Sequence, residues 1–134
     1  MSAYLEIADQ QTMVILQIEH IQAVNEIRNI LAVSGIDAIC IGPYDLSGSL
    51  GKLGQFDDPE VASAIDVVVR EVAQTQLFLG VSTGYDAQRF ERWLDKGIQW
   101  INLNTDWSNL FIQSKTIADA ARIAASERRR QRAL

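Results

Sequence analysis

One cysteine, one histidine and two prolines stand among 134 residues. A lone cysteine, Cys40, forms no internal disulfide, so the fold does not lean on an oxidising compartment. A lone histidine, His20, has no partner with which to build a catalytic set. No apolar run approaches the roughly 18 residues that a membrane span requires. The N-terminus has no basic stretch leading into a hydrophobic core, so no secretory signal is expected and the chain reads as cytoplasmic. Bases are scarce over most of its length. Residues 1–120 carry 16 acids against 7 bases, a charge of −9, while five arginines and Glu127 crowd into residues 121–134. A body of that charge repels a phosphate backbone, which argues against nucleic acid as a partner. The arginine cluster reads as the solvated end of a helix, its cations complementing the helix dipole, with a subunit contact as the other reading.

What is present is alternation. Ser2 to Gln10 has the spacing of a helix, with Tyr4, Leu5 and Ala8 on one side. Thr12–Glu19 is a near-continuous apolar run, the pattern of a strand buried on both faces. Helical spacing returns over 21–33 through Ile21, Val24, Ile27, Ile30 and Leu31, with Gly35 placed to cap it. A second strand is expected over 37–42, followed by a glycine-rich loop. Asp58 and Pro59 then open a helix as N-cap and first residue, with Val61, Ile65, Val68, Val69 and Val72 as its stripe. A strand over 77–82 leads to a helix from Asp86 to Lys96, with Ala87, Phe90 and Leu94 inward and Gly97 as its stop. A strand over 98–104 leads to a long last helix, about 108–130, with Leu110, Ile117, Ala118 and Ala121 on one face. Trp93, Trp100 and Trp107 fall on a helix, a strand and a loop, which suits packing. Four strand–helix units in one α/β domain, residues 1–134, imply a parallel sheet with right-handed crossovers. An open doubly wound sheet and a segment of a (β/α)8 barrel both fit; a full barrel typically takes about 250 residues.

In either architecture the chemistry gathers at the carboxyl ends of the strands. Alternation puts Met13, Ile15, Gln17 and Glu19 on one face of the first strand, so Gln17 and Glu19 point the same way at its top. Asp45, just past the second strand, is the natural neighbour of Glu19. Two carboxylates converging with no Lys or Arg between them suit a hard divalent cation. Alternatively each acid caps the helix that follows it.

The segments VILQIEH (14–20) and GIDAICIGPYDLSGSLGKLGQFDDPEV (35–61) resemble the HpcH/HpaI aldolase family, metal-dependent lyases of 2-oxo-3-deoxy and related hydroxy-keto acids. The elements Q-I-E and G-P-x-D-L-S, followed by D-P-E-V, carry a resemblance that covers nearly the whole chain and weakens over its last 20 residues. It implies a (β/α)8 barrel of which this sequence looks like strands five to eight, half of a TIM barrel. It implies Glu19 and Asp45 as ligands of a divalent metal (Mg²⁺, Mn²⁺ or Co²⁺), weakly held or absent in the chain alone. Gln17 is implied as a contact to a 2-oxo acid such as pyruvate, and Tyr44, beside Asp45, as a substrate contact through its backbone. The metal would polarise the 2-oxo group as a carbon–carbon bond breaks. In the family the general-base His and a charge-stabilising Arg lie in the first half of the barrel. No position here matches them, and no residue of this chain is assigned as catalytic. His20 alternates to the other face from Glu19 and is expected to be solvated or helix-facing. The reading is a partial aldolase, inactive alone; a non-catalytic oligomer or binding module derived from such a barrel is the alternative.

Two other motifs lack their required partners. Gly80–Gly84 matches G-x-S-x-G, but no histidine follows Ser82 to complete a triad. Gly48–Lys52 partly matches a phosphate loop, yet Leu46 stands where the first glycine belongs and Leu53 where Ser or Thr should bind Mg²⁺. Four strands cut from a barrel also leave two free edges and an apolar face, on which Met13, Ile15, Ile39 and Ile41 are expected. A homodimer or higher homo-oligomer is therefore expected, with the long last helix as a second contact.

Overall fold

The computed structural model describes residues 2–132. Its elements run α1 (Ser2–Gln11), β1 (Ile15–Ile18), α2 (Ile21–Asn25), α3 (Ile27–Leu31), β2 (Ala38–Ile41), α4 (Pro43–Ser49), α5 (Pro59–Val72), β3 (Phe78–Thr83), α6 (Ala87–Asp95), β4 (Trp100–Leu103) and α7 (Asp106–Arg132). The four strands lie in sequence order in one parallel sheet, and each strand falls where the apolar runs place it. Residues up to Leu103 and residues from Asn104 onward form two separate units.

The sheet has one covered face. Val61, Ala64, Ile65, Val68 and Val72 make a continuous stripe on α5 and are buried against Ile18, Ile39, Ile41 and Val81. Such a stripe repeats every three or four residues because the helix turns once per 3.6. The Asp58 carboxylate starts α5 by accepting from the Glu60 amide at 2.9 Å, with Pro59 in the first helical position. The Lys52 ammonium grips both Asp58 and Glu60 at 2.7 Å. That lysine is thus spent on a helix start.

Several expectations need correction. Ile39 and Ile41 face the helices, because they pair with Leu16 and Ile18, whereas Ile15 and Gln17 pair with Ala38 and Cys40. β1 is not buried on both faces: Ile18 is covered, but Ile15 stays 45% exposed. The expected single helix over 21–33 breaks at Glu26 into α2 and α3. The glycine-rich stretch after β2 opens as the helix α4, entered through Pro43 at its first position, and becomes a loop only from Leu50 onward, through Gly51 and Gly54. On α6 it is Trp93 that is buried, while Leu94 is exposed. In α1 Tyr4 is exposed, and the side chain of Leu5 lies outside the described residues.

The end of α6 is closed tightly. Gly97, at φ +77°, donates to Leu94 at 2.9 Å and Ile98 donates to Trp93 at 3.2 Å, the paired bonds of a left-handed helix cap. The next residue already belongs to the sheet: Gln99 donates its amide to Leu79 at 2.8 Å, and its side-chain oxygen accepts from the Leu79 amide at 2.9 Å. Gly35 takes the same backbone conformation after α3, at φ +85°, on an exposed turn.

The second unit is α7, 27 residues or about 40 Å of helix. Thr105 and Ser108 exchange hydrogen bonds across its first turn, and Asp119 pairs with both Lys115 and Arg122. Trp107, Leu110, Phe111, Ile112, Ile117 and Ile123 are all more than half exposed. Among the described residues no helix is long and apolar enough to cross a membrane.

Two expected outcomes follow from this packing. A Cβ on Gly80 would lie 1.9 Å from the Trp100 ring, so Gly80→Ala must displace the indole. We expect a loss of about 1–3 kcal/mol in urea unfolding, with altered tryptophan emission; an unchanged midpoint would contradict this packing. In acid, Asp58 and Glu71 are the sensitive groups. Hydrogen bonds from Lys52 and Arg28, respectively, hold their carboxyls below the ordinary range. Their stabilisation is present above the unfolded values near pH 4 and is lost as pH falls through the lowered folded ones. The urea midpoint should hold from pH 7 to about 5 and then fall, and Lys52→Met should flatten part of that fall.

Candidate functional site

The face of the sheet away from α5 is arranged in rows, because parallel register places equivalent residues side by side. The lowest row is Ile15, Ala38 and Phe78. With Met13 and Trp100 these line an apolar hollow of about 280 Å³. Above it come Gln17, Cys40, Gly80 and Trp100, with the indole lying over Gly80. The top row is Glu19, Gly42, Ser82 and Asn102, where Ser82↔Asn102 is a ladder pair and the rest continue the register past Ile18↔Ile41 and Ile41↔Val81. The face is therefore apolar at the amino ends of the strands and polar at the carboxyl ends.

The sequence-derived residues lie in that polar zone. Gln17 Nε2 donates to Glu19 Oε2 at 2.8 Å, so both side chains share the top of β1. They lean on Gly42: a Cβ there would sit 2.9 Å from Gln17 Nε2 and 3.0 Å from Glu19 Cβ. Gly42 leads directly into α4, which carries Tyr44 and Asp45 in its exposed first turn. Gln17, Glu19 and Gly42 are thus in contact, and Asp45 stands three residues further along at the same edge. Among the described residues no three His, Cys, Asp or Glu side chains converge as a metal cage. The donors on offer are two carboxylates with an amide beside them. Hard oxygen ligands of that kind suit a divalent cation that keeps several waters or chelates its substrate. The residues present fit such an ion.

Supporting contacts hold α4 still. Ser47, fully buried, donates to the Tyr44 carbonyl at 2.6 Å and accepts from the Gly54 amide at 2.9 Å. Ser49 accepts from the Ile21 amide at 2.9 Å, tying α4 to the start of α2. The Tyr44 ring meets Phe56 at 6.3 Å, and the Arg89 guanidinium lies 5.0 Å over Phe56. Sequence reasoning passed over Ser47 and Ser49; their spacing of three and four from Tyr44 and Asp45, on one helix, was the available signal.

His20 is the N-cap of α2, its Nδ1 accepting from the Gln22 amide at 3.2 Å. It is exposed, as expected, and its ring is occupied in local structure. Cys40 lies beneath the top row. Burial pushes its thiol up, the charge of Glu19 adds to this, and a hydrogen bond with the Ser82 backbone opposes it. Ser82, the would-be nucleophile of G-x-S-x-G, instead accepts a hydrogen bond from Asn102 Nδ2 at 3.2 Å.

Known proteins resemble this chain in sequence and in fold. The family model for HpcH/HpaI aldolase/citrate lyase matches residues 2–112. A hydroxypyruvate/pyruvate aldolase of Agrobacterium fabrum is 32% identical over 103 residues, which are 77% of this chain and 38% of that protein. A 4-hydroxy-2-oxo-heptane-1,7-dioate aldolase of Escherichia coli is 30% identical over 86% of this chain and 44% of its own. Among solved structures, an HpcH/HpaI aldolase/citrate lyase family protein of Burkholderia cenocepacia superposes with a TM-score of 0.80 at 31% identity, covering 89% of this chain and 46% of that one. The chain spans less than half the length of these relatives, and its four strand–helix units correspond to about half of their barrel. In sequence and in fold, this chain belongs to the HpcH/HpaI aldolase/citrate lyase family.

Proposed function

We propose that the chain is the metal-binding and 2-oxo-acid-binding half of a metal-dependent carbon–carbon lyase. The observation that carries this reading is the Gln17–Glu19 pair resting on Gly42, with Asp45 in the turn that Gly42 begins. Glu19 and Asp45 would hold the divalent cation, Mg²⁺, Mn²⁺ or Co²⁺. When bound, the cation supplies Lewis-acid polarisation of a 2-oxo group such as that of pyruvate. Gln17 steadies the Glu19 carboxylate from the side and offers its amide to the substrate. The Tyr44 backbone, held by Ser47, lines the other side of the approach. Among the described residues none is assigned to carry the proton: His20, the one histidine of the sequence, caps α2.

Assembly belongs to the same reading. β1 and β4 end the sheet, and Met13, Ile15 and Phe78 are roughly half exposed on its open face. Two copies facing each other across a two-fold axis would bury that surface and approach an eight-stranded enclosure. The exposed apolar residues of α7 offer a second contact between subunits.

Three measurements test this function. Purified chain with Mg²⁺ or Mn²⁺ should release little or no pyruvate from a 4-hydroxy-2-oxo acid, since one positioned acid–base group is commonly worth about 10² to 10⁴ in rate; brisk turnover would refute the half-site reading. Calorimetry with Mn²⁺ should show weak binding that Glu19→Ala and Asp45→Ala abolish. Gly42→Ala, which wedges a methyl against Gln17 and Glu19, should weaken it about tenfold. Variants that bind as well as the parent would favour the non-catalytic module instead. Light scattering across a size-exclusion peak should report at least twice 14.9 kDa; a stable monomer at micromolar concentration would exclude the assembly.

A further inference from the structure

The loop over residues 51–57, between α4 and α5, has little packing to hold it. Leu53, Gly54, Gln55 and Asp57 are exposed, and its aromatic residue, Phe56, is only half-buried. Phe56 does not close onto the core: with Ile65, Arg89 and Trp93 it lines a hollow of about 260 Å³. A segment with so few buried apolar contacts opens at low cost, so its place depends on the particular bonds it makes.

Those bonds lead in two directions. Toward the candidate metal site, the Gly54 amide donates to Ser47 Oγ at 2.9 Å, and Ser47 Oγ donates to the Tyr44 carbonyl at 2.6 Å. That carbonyl belongs to the peptide joining Tyr44 to Asp45. The Phe56 ring meets the Tyr44 ring at 6.3 Å, so the loop backs the first turn of α4 through backbone and side chain alike. Toward α6, the Arg89 guanidinium lies 5.0 Å over the Phe56 ring, and Arg92 donates to the Asp57 carboxylate. Residues three apart are neighbours on a helix surface, so the two arginines engage adjacent loop residues from one side of α6. Asp86, the N-cap of α6, accepts from the Arg89 amide at 2.9 Å and lies 3.8 Å from its guanidinium. The carboxylate that starts the helix thus also steadies the arginine.

We infer that Arg89 and Arg92 are positioning residues for the metal site. From α6 they seat the 51–57 loop against α4, and the seated loop fixes the Tyr44–Asp45 peptide through Gly54 and Ser47. Their action passes through Phe56 and Asp57 rather than through contact with Glu19 or Asp45. This rests on the reading of Glu19 and Asp45 as metal ligands.

Amide NMR of the full chain reads loop and site together. Titration with Mg²⁺ alone, followed at the Gly42 and Asp45 amides, gives the affinity of the site. Hydrogen exchange at the Gly54 amide reports whether the loop is seated. Arg89→Met combined with Arg92→Met removes an exposed cation–π contact and an exposed ion pair, and should speed Gly54 exchange about fivefold. Mg²⁺ binding should weaken about threefold, because only the seated fraction offers Asp45 in place. Arg89→Lys combined with Arg92→Lys keeps both charges and should bind Mg²⁺ as the parent does. A role in stability alone would lower the urea midpoint of the methionine variant and leave its Mg²⁺ binding unchanged. That result, or equal weakening by methionine and by lysine, overturns the positioning role while leaving the metal reading intact. If Mg²⁺ moves neither Gly42 nor Asp45 in the parent, the metal reading fails, and this inference fails with it.

Discussion

The helix layer decides everything above it. Ile18, Ile39, Ile41 and Val81 are fully or almost fully buried against the valines of α5. Each large aliphatic side chain removed from water contributes about 1.5–3 kcal/mol. A typical hydrogen bond contributes about 0.5–1.5 kcal/mol net, and those of the polar row are exposed to water. Packing therefore sets the phase of every strand, and the polar row accepts what is left. Once alternate residues of β2 are committed to α5, Ala38, Cys40 and Gly42 must face the other way. Parallel register carries that choice across the sheet, which is how Glu19, Ser82 and Asn102 come to share one row although they lie far apart along the chain.

Much of this was legible from residue patterns. Strands announced themselves as apolar runs, and Asp58-Pro59 and Gly97 marked helix ends by chemistry that depends only on neighbouring residues. Phase was harder to read. β2 is apolar on both sides, so its sequence has no alternation from which to tell which isoleucines meet the helices. The same ambiguity hid Trp93 behind Leu94, adjacent apolar residues of which only one turns inward. α4 was mistaken for a loop because Gly48, Ser47 and Ser49 look like turn residues. Here Ser47 and Ser49 bond back to carbonyls three residues earlier, which a helix permits.

The candidate site divides along similar lines. Gln17 and Glu19 could be placed together by alternation within one strand, and their hydrogen bond is its direct result. The proximity of Ser82 to Asn102 could not, since 20 residues and a helix separate them. Ser82 also sat inside a motif suggestive of a nucleophile, which drew attention to a histidine that is absent rather than to a neighbouring amide. Local patterns find pairs on one element; pairs that bridge elements need the register.

The junction between α6 and β4 shapes where this fold can vary. From Trp93 to Gln99, cap bonds pass without a gap into sheet bonds. An added residue there would have to unmake the helix stop, or else shift β4 by one place and exchange Trp100 and Asn102 for their neighbours on the open face. The turn at Gly35 is exposed and lies between the end of α3 and the start of β2, where no such chain of cap and sheet bonds runs. A residue added around Ser34 and Gly35 should therefore cost the fold less than one added in the Lys96–Gln99 connection.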